Sequence, residues 1–202
     1  MDRRNFMAGC AALSLAARAG DVLGRSGPLT RIIFPFAAGG SGDALCRLLA
    51  QHLGPSLDRS VIVENRTGGD GLIGIKSVKG AAADGSTILV TTGPTMYLLP
   101  MTEVTPSFDT ARDFMPVSLL ARFEFAVVAS PAINVSDFGQ FVVWLKANPG
   151  KTTFGVPSSG TIPHFIGSKL EQVLGIPMTR VAYRGSAPIV NDLVGGHLIA
   201  LH

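Results

Sequence analysis

Residues 32–43 read Ile-Ile-Phe-Pro-Phe-Ala-Ala-Gly-Gly-Ser-Gly-Asp, which joins an apolar run to a glycine-rich loop and the start of a helical pattern. A loop of this kind lets backbone N–H groups come close to a ligand. The helix that follows points the positive end of its dipole at the same place. The stretch therefore predicts a strand, an anion-receiving loop and a helix, which together form the repeating unit of an α/β fold.

The residues around the last glycine of this loop exclude two kinds of phosphate site. A P-loop needs Lys and then Ser or Thr after Gly42, where this chain has Asp43 and Ala44. A dinucleotide fingerprint needs a third glycine at the position of Leu45. We therefore expect an anion smaller than a polyphosphate. We expect Asp43 to cap its helix or brace the loop rather than to bind the ligand.

The rest of the chain repeats the alternation of strand and helix. Short apolar runs occur at 31–34, 61–63, 87–90, 125–128, 152–154 and 180–183. Their apolar residues are consecutive, which is typical of strands covered on both faces of a parallel sheet. Helical patterns occur at 43–53, where Gly54 and Pro55 should end the helix, and at 137–146, 161–174 and 187–194. A polar stretch at 100–116 has neither period, so we expect one α/β domain at 20–120 and a second at 121–202.

The first residues have the layout of an export signal, which we place at 1–19. Arg3 and Arg4 precede an apolar stretch that ends at Ala17-Arg18-Ala19, a pattern typical of a cleavage site. The arginine pair leaves both Sec and twin-arginine export open, and both lead to the periplasm. Three of the 17 basic and one of the 14 acidic residues lie in this leader, so the remainder has a formal charge near +1. That charge excludes a nucleic-acid or membrane-surface footprint.

Two further loops follow predicted strands and offer hydroxyl groups and backbone donors, at 91–95 and 155–164. Loops at the carboxyl ends of parallel strands converge where open α/β sheets bind ligands. His164, at the start of a predicted helix, could donate a hydrogen bond there or contact the ligand. The chain has neither a G-x-S-x-G elbow nor an H-E-x-x-H motif, and Cys46 is predicted to be a buried apolar residue. We therefore predict no catalytic residue, no metal and no cofactor.

These loops and several other motifs resemble one family, the substrate receptors of tripartite tricarboxylate transporters, also known as Bug-type extracytoplasmic solute receptors. The similar stretches run in family order and include Glu64-Asn65-Arg66 with Gly68 and Gly69. The full set is 34–43, 63–69, 83–85, 113–117, 146–151, 183–188 and 192–196.

The resemblance implies a periplasmic-binding-protein fold of type II, with two doubly wound α/β domains that close on a ligand in the cleft between them. It implies a monomeric receptor that binds a small organic carboxylate and delivers it to the membrane permease subunits of the transporter. The ligand contacts that it implies are Ala38, Gly39, Gly40, Ser41, Thr92, Gly93, Thr95, Ser158, Ser159, Gly160, Thr161 and His164. Gly42 and the Pro94-Thr95 pair depart from the usual family pattern, so the shape of the pocket should differ there.

Family members continue for about another hundred residues, a length typical of the missing part of a second domain. The apolar run at 197–202 lacks a closing turn, so we expect a C-terminally truncated chain with an incomplete second domain. Such a chain should be unstable or bind poorly. Two alternatives stay open at this point. The chain could be a non-functional remnant of a receptor, or a receptor that presents its ligand to a signalling sensor.

Overall fold

The computed structural model describes residues 28–201, so the predicted export signal at 1–19 lies outside the described residues. The first unit of the structure contains a sheet of three parallel strands in the order β2-β1-β3. Its elements are β1 (Leu29–Phe34), α1 (Ser41–Leu57), β2 (Ser60–Asn65), a 3-10 turn (Gly69–Gly71), α2 (Leu72–Lys79), β3 (Thr87–Leu89), α3 (Gly93–Met101) and α4 (Thr110–Asp113).

The central strand β1 is covered on both faces, as its consecutive apolar residues predict. Ile32 and Ile33 point to opposite faces of the sheet and neither is exposed to solvent. On one face Ile32 packs in a cluster with Cys46 of α1. Burial raises the pKa of the Cys46 thiol to about 11, which confirms the prediction of a buried apolar cysteine.

The second unit contains a four-stranded sheet in the order β4-β7-β5-β6. Strand β5 pairs in parallel with β6 and β7, whereas β4 pairs antiparallel with β7. Its elements are β4 (Val128–Ala129), a 3-10 turn (Pro131–Ile133), α5 (Phe138–Ala147), β5 (Thr153–Val156), α6 (Ile162–Leu174), β6 (Thr179–Ala182), α7 (Ser186–Val194) and β7 (Ala200–Leu201).

The core of the second unit joins α5 and α6 to strand β5. Phe141 and Leu145 of α5 pack with Phe154 and Val156, and all four are buried. Helix α6 lies close to the strand because Gly167 faces Phe154, where a Cβ atom would come within 2.1 Å of the ring. The sequence pattern thus fixes which helix faces are apolar, and a glycine fixes how closely one of them packs.

Two of the predicted boundaries are wrong. The run at 125–128 is not a strand along its length: only Val128 and Ala129 pair, at the edge of the sheet, and the residues before them are exposed and belong to neither helix nor strand. Helix α1 does not end at Gly54 and Pro55 but continues to Leu57. A proline in the last turn removes few helical hydrogen bonds, and the helix stops where Asp58 adopts a left-handed conformation.

No helix within residues 28–201 is both long enough and apolar enough to cross a lipid bilayer. The carboxyl ends of strands from both sheets lie near one another. The chain leaves β1, β2, β5 and β6 at their carboxyl ends and enters segments that line one shared cavity.

Candidate functional site

A cavity of about 270 Å³ lies between the two units. Its walls come from the segments that follow four parallel strands, which is where open α/β sheets bind ligands. The residues that line it are Pro35, Phe36, Gly68, Gly69, Asp70, Gly71, Pro157, Ser158, Ala182, Tyr183 and Arg184.

A second hollow, of about 410 Å³, lies on the first unit alone, beside α2 and α4. Its basic and acidic groups already neutralise one another, because Lys79 Nζ lies 2.7 Å from Asp113 Oδ2. It is larger but touches none of the strand ends. We therefore take the cavity between the units as the candidate site.

The glycine-rich loop after β1 is held by a buried aspartate. Asp43 is 4% exposed, and its Oδ2 accepts the backbone N–H of Gly39 at 3.0 Å. Its Oδ1 accepts Asn65 Nδ2 at 2.9 Å, and Arg47 donates to both oxygens. Burial alone raises the pKa of Asp43, but the hydrogen bonds from Arg47, Gly39 and Asn65 outweigh burial and lower it. The predicted bracing role of Asp43 is confirmed.

This bracing turns the glycine loop toward helix α7 rather than into the cavity. A Cβ atom on Gly40 would lie 2.6 Å from Ser186 Oγ, and one on Gly39 would lie 3.7 Å from Ala187 Cβ. Pro35 and Phe36, just before the loop, line the cavity instead. The ligand contacts predicted for Ala38, Gly39, Gly40 and Ser41 therefore lie beside the cavity, and they stay predictions.

The segment that contains Thr92, Gly93 and Thr95 forms the start of helix α3 rather than a loop. Thr92 is the N-cap residue, and its hydroxyl lies 2.7 Å from that of Thr95, which is 1% exposed. None of the three lines the cavity. Their hydroxyl groups bond each other and the helix end, so their predicted contact with the ligand stays a prediction.

Hydrogen bonds join the residues of the 158–161 loop to one another and to the start of helix α6. Ser158 lines the cavity and is 1% exposed, and its carbonyl oxygen accepts a hydrogen bond of 2.8 Å from Thr161 Oγ1. The backbone N–H of Gly160 donates to Nδ1 of His164 at 3.1 Å. Of the twelve predicted contacts, Ser158 is thus the one in the cavity wall, with Ser159, Gly160, Thr161 and His164 behind it.

Nδ1 of His164 accepts the Gly160 N–H group, and Arg180 Nη1 lies 2.6 Å from Nε2, so the two predicted roles of His164, donor at the helix start or ligand contact, stay predictions. Burial lowers the pKa of His164, and the neighbouring Arg180 guanidinium lowers it further. A neutral imidazole is required for Nδ1 to accept the Gly160 N–H group. The imidazole ring therefore holds the 158–161 loop through Gly160, and it does not line the cavity.

Hydrogen bonds join the units across the cavity at two places, and neither was expected from the sequence. The backbone N–H of Ala37 donates to the carbonyl oxygen of Arg184 at 2.6 Å. The Oδ1 atom of Asp70 accepts the backbone N–H of Ser159 at 2.7 Å and the Ser158 hydroxyl at 3.0 Å. Asp70 is the cavity-lining residue with contacts to both units that sequence reasoning missed. The signal for it is an acidic side chain enclosed by glycines at 68, 69 and 71.

Tyr183 and Arg184 form the wall that follows β6. The Tyr183 hydroxyl donates to Asp192 Oδ2 at 2.6 Å, and burial together with that carboxylate raises the pKa of Tyr183 to about 12. Arg184 is exposed and is the one basic residue among those that line the cavity. Among residues 28–201 its guanidinium makes none of the recorded ion pairs.

The chain is similar in sequence to a known family and to proteins of known structure. Residues 45–201 match the model of a family described as the tripartite tricarboxylate transporter family receptor. A curated relative from Cupriavidus necator, the UPF0065 protein in the gbd 5′ region, is 31% identical over 100% of this chain and 63% of its own length.

Two solved structures share the fold. The structure of a periplasmic transporter is 34% identical with a TM-score of 0.76, over 86% of this chain and 58% of that one. R. palustris Rpa4515 with adipate is 28% identical with a TM-score of 0.79, over 85% of this chain and 57% of that one. These matches confirm the predicted α/β fold of the periplasmic-binding-protein type. This chain spans less than two thirds of the length of each of these three proteins.

Proposed function

The chain belongs to the tripartite tricarboxylate transporter receptor family, and we propose that it is a solute-binding receptor that captures a small organic carboxylate between its two units. The observation that carries this proposal is the cavity lined by segments that follow the carboxyl ends of β1, β2, β5 and β6. A ligand bound there touches both units, so its binding favours the closed arrangement over an open one. The relative solved with adipate supports a carboxylate as the ligand class.

Arg184 is the residue through which we propose that the cavity attracts a carboxylate. Arg184 lines the cavity and is exposed, and among residues 28–201 it makes no ion pair, so its guanidinium can meet a ligand without first losing another charged partner. A guanidinium binds both oxygens of a carboxylate with a fixed fork of donors. Its carbonyl oxygen accepts the Ala37 N–H group, which holds the residue at the junction between the units.

The remaining parts of the proposal follow from the family. We propose an export signal at 1–19, one α/β domain at 20–120 and a second at 121–202, with the exported receptor acting as a monomer in the periplasm. Its partners are the permease subunits of a tripartite transporter. The family is one of solute receptors rather than enzymes, and we propose that this chain likewise releases its ligand unchanged.

Thermal unfolding of the full chain tests the proposal. The ligands are a panel of monocarboxylates, hydroxy acids and dicarboxylates, together with their uncharged amides. A ligand that binds only the folded protein stabilises it by about 2.7 kcal/mol at a hundredfold excess over its dissociation constant. We expect at least one acid, and none of the amides, to raise the unfolding midpoint.

The variant Arg184→Ala should lose this response. Arg122→Ala is the matched control, since Arg122 is also exposed but does not line the cavity and lies in the irregular segment before β4. If the acid raises the unfolding midpoints of both variants equally, Arg184 does not bind the ligand. If no acid shifts the midpoint of the wild-type chain, the proposal of a carboxylate receptor is wrong.

A further inference from the structure

The donors of the 158–161 loop already hold a carboxylate, and it belongs to the chain itself. Asp70 Oδ1 receives the Ser159 backbone N–H at 2.7 Å and the Ser158 hydroxyl at 3.0 Å. A backbone N–H and a hydroxyl group that converge on one oxygen form the arrangement with which proteins bind a ligand carboxylate. Here the oxygen comes from the opposite unit, 88 residues away in the sequence.

The backbone at Asp70 is shaped to deliver this side chain. Asp70 has φ 55° and ψ 29°, a left-handed conformation that residues other than glycine seldom adopt. Its neighbours Gly69 and Gly71 also have positive φ, so the turn contains one side chain and aims it across the cavity. Strain of this kind persists where surrounding contacts hold it, and the contacts here are those with Ser158 and Ser159.

The second oxygen of Asp70 leaves a negative charge at this end of the cavity. Oδ2 makes none of the hydrogen bonds recorded between residues 28 and 201, and Asp70 and Ser158 both line the cavity. Arg184 supplies the positive charge of the same cavity. A ligand that spans it therefore meets one cationic side chain and one anionic side chain.

We propose that Asp70 is an internal carboxylate that occupies the donors of Ser158 and Ser159, and that it makes the cleft select monocarboxylates with an uncharged far end over dicarboxylates. The selectivity rests on the proposed function, since it requires that Arg184 receives the ligand carboxylate. A second ligand carboxylate would lie against Asp70 and would find its hydrogen-bond donors taken. A hydroxyl group at the same place can donate to Oδ2 instead.

The first experiment asks whether the Ser158 hydroxyl and the Ser159 N–H group bind a free carboxylate when the Asp70 side chain is removed. Asp70→Gly removes the side chain and relieves the left-handed strain, so the variant should fold. Sodium acetate should raise its unfolding midpoint by about 2–4 °C at a fivefold excess over the dissociation constant, relative to sodium chloride at equal ionic strength. The wild-type chain should show a smaller rise, limited to acetate received at Arg184.

Asp58→Gly is the matched control for this rescue. Asp58 also has a left-handed backbone, with φ 48°, but it is exposed and ends α1 away from the cavity. Acetate should raise its midpoint no more than it raises that of the wild-type chain. The inference is overturned if acetate stabilises all three proteins equally or fails to stabilise Asp70→Gly.

The second experiment measures selectivity with pairs of equal chain length: succinate with 4-hydroxybutyrate, and adipate with 6-hydroxyhexanoate. The wild-type chain should bind the hydroxy acid of a pair more tightly than the diacid. Asp70→Asn keeps an oxygen that accepts from Ser159 and removes the charge, and asparagine tolerates the left-handed backbone. It should shift the preference toward the diacid about tenfold, as expected when one close like-charge repulsion is removed.

Asp58→Asn should leave the preference unchanged, because it removes the same charge outside the cavity. A wild-type chain that binds the diacid as tightly as the hydroxy acid would overturn the selectivity. If neither the diacids nor the hydroxy acids bind the wild-type chain, the proposed receptor function fails, and with it the selectivity. Acetate rescue then still decides whether Asp70 occupies an anion site.

Discussion

Asp43 and Asp70 each belong to a glycine-rich turn of the first unit, and each accepts a backbone N–H group. Asp43 is buried, braces its own loop and is neutralised by Arg47. Asp70 is half-buried, reaches across to the other unit and, within the described residues, makes no ion pair with a lysine or an arginine. An aspartate whose partners lie in its own unit stabilises the fold, as Asp43 does. We propose that an aspartate whose partners lie across a cleft, as those of Asp70 do, can instead select the ligand.

The largest effect that separates the two aspartates should be on stability. Asp43→Ala leaves the Gly39 N–H and the Asn65 amide without their buried acceptor, which should lower the free energy of unfolding by about 3 kcal/mol. Urea unfolding of the full chain measures this loss. Asp58→Ala is the control in an exposed turn and should change the free energy by less than about 1 kcal/mol. Equal losses would mean that the Asp43 network does not brace the fold.

The other contact across the cavity should tolerate change less well than Asp70 does. Gly185 has φ 144°, and a Cβ atom there would come within 2.9 Å of the Ala37 backbone nitrogen. Gly185→Ala should therefore cost about 2 kcal/mol and loosen the junction between the units. Gly150→Ala, at φ 85° with no atom within 4 Å, carries strain without the clash and should cost about 1 kcal/mol. Similar melting points for the two variants would argue against a tight junction at Gly185.

A smaller difference should appear in acid. The pKa of Asp43 is lowered in the folded protein, so its stabilisation is present above the pKa of the unfolded chain and is lost as the pH falls through the folded value. The wild-type chain should lose stability more steeply than Asp43→Asn below about pH 4. Asp84 and Asp113, whose pKa values are also lowered, contribute equally to both proteins. Parallel urea midpoints across this pH range would show that Asp43 is not the group that titrates.

The smallest stability change should come from Asp70 itself. Asp70→Gly loses the bonds to Ser158 and Ser159 but removes the cost of a left-handed aspartate, about 1 kcal/mol. The two changes oppose each other, so the free energy of unfolding should move by less than about 1 kcal/mol. Urea unfolding beside Asp43→Ala checks this. A loss as large as that of Asp43→Ala would make Asp70 a part of the fold rather than of the site.

The fold could be predicted because its signals are local and periodic. Five of the six apolar runs become strands close to the predicted limits, and Asp137, Thr161 and Gly195 mark helix ends as expected. The run at 125–128 fails because an apolar stretch forms a strand only where a neighbour offers backbone partners, and β7 meets it only from Val128. Such pairing depends on residues distant in the sequence.

The candidate site could be predicted only in part. Its location at the strand ends follows from the α/β pattern, and the role of Asp43 follows from its place in the first helical turn. Asp70 could not be assigned, because its contact depends on a left-handed backbone and on a partner 88 residues away. The ligand contacts predicted for the first loop stay predictions, and the sequence did not indicate that Gly39 and Gly40 would lie against α7.

The burial of Cys46 has a consequence for redox chemistry. With a pKa of about 11, only about one thiol in ten thousand is ionised at pH 7, and the thiolate is the form that attacks disulfides and oxidants. The side chain is also shielded between α1 and β1, with no exposed surface. In an oxidising compartment this cysteine should therefore escape mispairing as long as helix α1 stays in place. Its modification by a thiol reagent would measure how often that helix detaches.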